Sequence, residues 1–215
     1  MKAKLVTRHV FKNVMIAEFE AEPQFTFQPG EYIQIVLNSG EKRYFSVMSS
    51  PNELPLIKIG TRPSNSKFKK TLAEMPLGIE AEINGPWGDL ILPDDDKERS
   101  YYFVAGGIGV TPFLSMIKYK TEQFLPYDVS LLYFCDNPPL FKTDLENWAV
   151  ESMRTRVLFI HERISPEVLK PKLFDYANAI FFAAGPPGFV NQALNALREA
   201  GIKSEKIIHE SYTGY

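Results

Sequence analysis

A continuous apolar run, Tyr101-Tyr102-Phe103-Val104-Ala105, leads directly into Gly106-Gly107-Ile108-Gly109-Val110-Thr111-Pro112, and this junction restricts the fold more than any other part of the chain. Five apolar or aromatic residues without polar alternation describe a strand covered on both faces, the environment of a parallel sheet. Glycines permit a tight turn, and Pro112 suits the first turn of a helix, where a missing N–H has no intrahelical acceptor to lose. Strand, glycine turn and helix start together place unpaired N–H groups and the positive end of a helix dipole at one sheet edge, where open α/β folds bind phosphate. Gly106, Gly107, Gly109, Val110 and Thr111 are therefore candidate phosphate-turn residues, with Thr111 either capping the helix or donating to a phosphate oxygen. A third fingerprint glycine would fall on Pro112, so a tight turn that holds no ligand is the competing reading.

The rest of the second half agrees with that turn. Apolar runs at Val129–Phe134, Val157–Ile160 and Ile180–Ala184 alternate with helical segments. From Pro187 to Ala200, Phe189, Val190, Ala193, Leu194 and Leu197 recur at helical spacing, and Gly201 follows as a C-terminal stop. This alternation predicts a doubly wound parallel sheet. The turn Ala183-Ala184-Gly185-Pro186-Pro187-Gly188 then reaches the same sheet edge, which adds Gly185 and Pro186 to the candidate site.

The first half reads differently. Short apolar segments at Lys4–Val10, Val14–Glu20, Tyr32–Leu37, Tyr44–Ser49, Leu56–Gly60, Glu80–Asn84 and Leu90–Leu92 are bordered by Gly30, Asn38-Ser39-Gly40, Pro51-Asn52 and Gly85-Pro86. Such spacing predicts a small antiparallel barrel, with one helix over Lys67–Glu74 that Ser66 can cap. The charged stretch Pro93 to Arg99 is the expected junction, dividing the chain into residues 1–95 and 96–215. A polar loop inside one domain fits that stretch as well.

Composition bounds the chemistry. At 215 residues, with 45% hydrophobic and 23% charged residues, the chain is an ordinary globular one of one or two domains. Cys135 is the only cysteine, so the chain has no intrachain disulfide and no four-thiolate iron–sulfur or zinc site. His9, His161 and His209 lack metal-ligand spacing, and no metal is expected. A formal net charge of −2 gives no global reason to expect nucleic acid. No apolar run approaches the roughly 20 residues that span a bilayer, so no membrane insertion and a cytoplasmic setting are expected. Trp87 and Trp148 read as packing residues.

Against this background Arg43-Tyr44-Phe45-Ser46 is similar to the Arg-x-Tyr-Ser flavin motif of the ferredoxin–NADP reductase superfamily, and Val47-Met48-Ser49-Ser50-Pro51 follows as it does in that family. Ser64-Asn65-Ser66-Lys67-Phe68 resembles the family's phosphate-binding turn, and Gly85-Pro86-Trp87-Gly88-Asp89 the segment that closes its flavin barrel. The two glycine turns resemble its nicotinamide-nucleotide loops, and Glu210-Ser211-Tyr212 its C-terminal Glu-x-Tyr, here extended by Thr213-Gly214-Tyr215. Each piece alone is weakly specific; the ordered set, from about residue 30 to the end, is strongly so.

The resemblance implies an N-terminal antiparallel Greek-key barrel that binds FAD, followed by a parallel-sheet Rossmann-like NAD(P)-binding domain whose C-terminal tail covers the flavin. It implies a flavin-dependent NAD(P)H oxidoreductase that passes electrons to a separate ferredoxin, flavodoxin, oxygenase component or small acceptor. Two alternatives stand beside it: an NAD(P)H:flavin reductase using free flavin, and a flavin-binding electron-transfer or regulatory subunit of a larger complex. The cofactor is FAD, with FMN left open, and the donor NADH or NADPH. In this frame Arg43 binds the flavin pyrophosphate, Phe45 stacks on the isoalloxazine ring, Ser46 meets its N5 edge, and Tyr44 belongs to the same cofactor-binding motif. Ser64, Asn65 and Ser66 hold phosphates, Tyr212 covers the ring in competition with Tyr215, and Glu210 assists proton supply. Ser46, Glu210 and Tyr212 are the implied catalytic set. Ala184 stands where the family commonly has Cys, which implies less stringent hydride transfer. Asp136, just past the run Leu131–Phe134, is placed to accept from a ribose diol and leans the preference to NADH, while Arg154, Arg156 and Lys142 are the cations expected to approach a 2′-phosphate.

Overall fold

The structure, a computed structural model, describes residues 1–92 and 99–212. The expected 95/96 boundary and Thr213, Gly214 and Tyr215 lie outside the described residues.

Six strands precede the junction: β1 (Lys2–Phe11), β2 (Val14–Ala21), β3 (Tyr32–Val36), β4 (Lys42–Ser46), β5 (Leu56–Thr61) and β6 (Glu80–Trp87). They form one antiparallel sheet in the order β4-β3-β6-β1-β2-β5. Period-2 alternation turns Leu5, Phe19, Ile33, Ile35, Ile57 and Ile59 inward, and all six are fully buried. The sheet curls so that its two edges approach, and Met48, just past β4, donates its N–H to the Lys58 carbonyl on β5 at 2.9 Å. Helix α1 (Lys67–Glu74) plugs one end with Phe68 and Leu72, and the Ser66 hydroxyl accepts from the Lys69 N–H at 3.3 Å, the N-cap expected from the sequence.

After the junction, β7 (Ser100–Gly106), β8 (Asp128–Phe134), β9 (Thr155–Ile160), β10 (Ile180–Gly185) and β11 (Ile207–Ser211) form a parallel sheet in the order β11-β10-β7-β8-β9. Helices α2 (Thr111–Glu122), α3 (Lys142–Glu151), the short α4 (Pro166–Leu169) and α5 (Pro187–Glu199) connect them. Apolar clusters cover both faces, as the unbroken run at Tyr101 requires. None of these helices is long and apolar enough to cross a membrane.

One expected strand is missing and one unexpected strand is present. Leu90–Leu92 is not a strand, because Leu90 and Leu92 leave the barrel ladder to enter the core beneath α2. β11 was not foreseen: Ile207-Ile208-His209-Glu210-Ser211 has too few apolar residues to read as a strand, and its place is set by parallel pairing to β10. The two lobes share one cluster, in which Val14, Ile16, Leu90 and Leu92 from the barrel side meet Phe113, Leu114 and Ile117 of α2. Ser115 on α2 also donates to the Ser49 carbonyl at 2.6 Å, a buried bond from lobe to lobe.

Candidate functional site

Where the lobes meet, a cavity of about 740 Å3 opens between the ends of β4 and β5, the N-terminus of α1, the turn before α2 and the end of β11. Its wall includes Arg43, Tyr44, Phe45, Ser46, Ser66, Thr111, Glu210 and Tyr212 from the expected set. β4 delivers its share by alternation. Phe45 turns toward the barrel and meets Phe68, 5.5 Å between ring centroids, while Tyr44 turns out beside Tyr32 and Trp87. Ser46 pairs with Tyr32 across the β3–β4 ladder and is 5% exposed. Trp87, read from sequence as a packing residue, is 43% exposed, since it belongs to this outward aromatic group.

The C-terminal side chains arrive through β11. Its register places Glu210 beside Ala184 and Ser211 beside Gly185, after which the Tyr212 N–H donates to the Gly185 carbonyl at 3.0 Å. The Tyr212 side chain crosses to the barrel, where the Ser46 hydroxyl donates to its Oη at 2.8 Å. Neither Glu210 carboxylate oxygen has a hydrogen-bond partner, although both are buried. Burial pushes this carboxyl up to about 7; the Asp89 main chain opposes that rise, while its side-chain charge adds to it. That main-chain group pulls on the carboxylate electrostatically without reaching hydrogen-bonding geometry, so desolvation prevails. Gly88, at φ +138°, is what admits the carboxylate: a Cβ there would lie 3.0 Å from Glu210 Oε1.

At the barrel side the wall is cationic. Lys42, Arg43 and Lys69 line it together with Ser66 at the start of α1. Burial, and then the charge of Arg43, holds the Lys69 ammonium below its ordinary pKa. Crowding cations around a helix N-terminus raises their mutual repulsion, which an anion such as phosphate relieves. Aromatic faces from Phe45 and Tyr212 suit a planar ring in the same space. Glu210 is the only carboxylate in that wall among the described residues.

A second cavity, about 310 Å3, lies beyond Arg62 and takes in Gly107 and Asp136 along with Lys12, Tyr133, Cys135 and Asn137. Arg62 is the residue common to both walls. Its Nη2 lies 3.7 Å from Asp136 Oδ2, and its buried Nε has no hydrogen-bond partner.

The remaining expected residues sit elsewhere. Ser64 and Asn65 are exposed outside both walls, and the Ser64 hydroxyl accepts from the Ser66 N–H at 3.3 Å. Gly106 and Gly109 serve close packing. A Cβ on Gly106 would fall 2.4 Å from the Phe189 ring, and one on Gly109 would fall 2.3 Å from the Ala184 carbonyl oxygen. The two glycine turns therefore interlock. Val110 is fully buried in the core shared by the lobes, and Gly185 and Pro186 line neither cavity. Thr111 makes no side-chain cap; its hydroxyl donates to the Ile108 carbonyl at 3.1 Å. Cys135 is half-buried, and burial pushes its thiol up to about 11. Sequence reasoning passed over Arg62, Lys42, Lys69 and Tyr32, noted Gly88 only as part of the barrel-closing segment, and set His209 aside. Arg62 stands beside a motif that was noticed, the turn Ser64 to Phe68; Lys42, Lys69 and Tyr32 carry no local signal.

No family model matches the chain. It is similar to flavohemoprotein A of Dictyostelium discoideum, at 24% identity in an alignment of 238 positions that covers 97% of this chain and 59% of that protein. It is 30% identical over 113 residues to the reductase component 1 of a Comamonas terephthalate 1,2-dioxygenase, covering 52% of this chain and 33% of the relative. A crystal structure of a flavohemoglobin from Malassezia yamatoensis with bound FAD and heme superposes with a TM-score of 0.82 at 26% identity, over 98% of this chain and 59% of that one. The chain thus spans less than two thirds of the length of these relatives.

Proposed function

Because the chain belongs to the ferredoxin–NADP reductase superfamily, we propose that it is an NAD(P)H-dependent flavoprotein reductase that holds FAD at the lobe boundary and passes electrons to a separate acceptor. The observation that carries this reading is the meeting of Ser46 and Tyr212, 166 residues apart in sequence, in one cavity with Glu210. FAD, if bound there, would supply the redox chemistry, accepting hydride from the nicotinamide and handing electrons to an acceptor.

The protein's own residues do the rest. Arg43, Lys42 and Lys69, with the N-terminus of α1, orient phosphate. Phe45 offers a ring face. Ser46 is committed to Tyr212 and becomes a partner for a ring edge when Tyr212 moves, while Tyr212 in place excludes water. Glu210, poised at about 7, exchanges a proton near neutral pH. Arg62, common to both walls, would meet the linker of a dinucleotide, Asp136 its ribose, and Gly107 and Thr111, the turn residues in the two walls, its phosphates. The charges at the barrel end suit FMN as well as FAD.

The acceptor is a protein of the ferredoxin, flavodoxin or oxygenase-component kind, a reading supported by the reductase component among the relatives. A single cysteine suits a reducing compartment, and we place the protein in the cytoplasm. Ser64 and Asn65 stand outside the cavity wall and Phe45 lacks a hydroxyl, which favours a second reading, a reductase that releases flavin as product.

The test is direct. Purified chain mixed with FAD and desalted is expected to stay yellow, to bleach anaerobically with NADH or NADPH, and to recover its colour with ferricyanide. Flavin lost on desalting, together with turnover of added free flavin, points to the second reading. Protein that neither binds nor reduces flavin overturns both.

A further inference from the structure

The second cavity is completed by the opposite lobe. At the tip of the β1–β2 hairpin, Lys12 Nζ donates to the carbonyls of Pro138 at 3.2 Å and Pro139 at 2.8 Å, in the loop that follows β8. Phe11 of the same tip packs on Phe141, 6.1 Å between ring centroids. These contacts hold the Lys12 ammonium at a defined place in the wall of the nucleotide lobe's own cavity. Also in that wall is the Tyr133 hydroxyl, buried without a hydrogen-bond partner, its phenol kept protonated by burial.

Charge decides what such a cavity takes. Its wall carries two cations, Lys12 and Arg62, against one carboxylate, Asp136, which leaves one positive charge over. Asp136 is 89% exposed and faces the Arg62 guanidinium, so its charge is both screened and partly neutralised. A ribose diol asks for an acceptor; a phosphate monoester asks for a fixed cation and an O–H donor, and Lys12 and Tyr133 are those two groups. The cations anticipated from the sequence do not compete. Arg154 is bound to the Pro126 carbonyl at 2.7 Å near the start of β8, and Arg156 is the second residue of β9, both at the opposite sheet edge. Lys142 pairs with Glu146 at 3.5 Å on α3.

We propose that the second cavity binds a phosphate monoester next to an adenosine and that Lys12 is the residue that selects it, so that the electron donor carries a 2′-phosphate. This rests on the reading of the cleft as a nicotinamide-nucleotide site, and it replaces the lean to NADH drawn from Asp136 alone.

Calorimetric titration of the whole chain with adenosine 2′,5′-bisphosphate and with adenosine 5′-monophosphate tests it. The wild type is expected to bind the bisphosphate at least tenfold more tightly. Lys12→Gln should bring that ratio to about threefold or less with monophosphate affinity within twofold, and Lys12→Arg should preserve it. Equal wild-type affinities, or a parallel loss of both nucleotides in Lys12→Gln, overturn the assignment while the nucleotide site stands. A wild type that binds neither nucleotide, nor NADH nor NADPH, overturns the assignment and the underlying reading together.

Discussion

At the scale of single residues, Glu210 shows how far a tertiary setting departs from what a side chain does in water. Its neighbours in sequence, Ser211 and His209, are exposed, yet its own oxygens are buried against Gly88. The consequence for stability has a definite sign. A carboxyl that titrates at about 7 when folded and near 4.5 when unfolded binds more protons folded than unfolded between those values. Stability from this residue is therefore fully present below pH 4.5 and is lost as pH rises through 7. Glu210→Gln removes that dependence and should gain roughly 1–3 kcal/mol over wild type on going from pH 5 to pH 8. Parallel thermal-denaturation curves for the two proteins across that range would contradict the burial argument. Nothing in the local sequence announces this. The Glu-x-Tyr resemblance marked the residue as interesting, while its burial uses the room left by Gly88, more than a hundred residues upstream.

At the scale of elements, β11 matters most to the site and was least visible in advance. Its five residues carry two isoleucines followed by three polar positions, a pattern too short for periodicity to identify. The strand exists because β10 offers an unpaired parallel edge, and pairing there carries Tyr212 to Gly185 and then to Ser46. Truncation after Ser211 removes the Ser46–Tyr212 hydrogen bond and the cover it supports. It should raise affinity for NAD(P)H in an equilibrium titration, by about fivefold if the net value of one hydrogen bond, roughly 1 kcal/mol, is recovered on opening. Weaker binding by the truncated chain would mean that Tyr212 helps hold the nucleotide instead of blocking it. By contrast β7, the glycine turn and α2 were legible together, since an unbroken apolar run, glycines and a proline at a helix start all encode the same local geometry.

At the scale of the whole molecule, the lobes share one apolar core and a buried hydrogen bond. The cluster beneath α2 draws residues from both, and Gly30, at φ +101°, packs against two of its members, Leu90 and Met116. A Cβ at Gly30 would fall 2.0 Å from the Leu90 carbonyl oxygen and 2.3 Å from Met116 Cε, with no flexible neighbour to yield on the backbone side. Calorimetry of the wild type should show a single unfolding transition, and Gly30→Ala should cost about 3 kcal/mol or more in that transition. Two separate transitions in the wild type would show that the shared core does not couple the lobes. What the sequence by itself determined is whatever short-range stereochemistry and periodicity encode: strand faces, the Ser66 cap, the glycine turns and the change from antiparallel to parallel architecture. Only the tertiary structure decided which of those glycines are there for packing, that Arg62 stands between two cavities, and that a hairpin of the first lobe lends Lys12 to a cavity of the second. Proximity between distant segments follows from how whole faces pack, and no window of neighbouring residues contains that information.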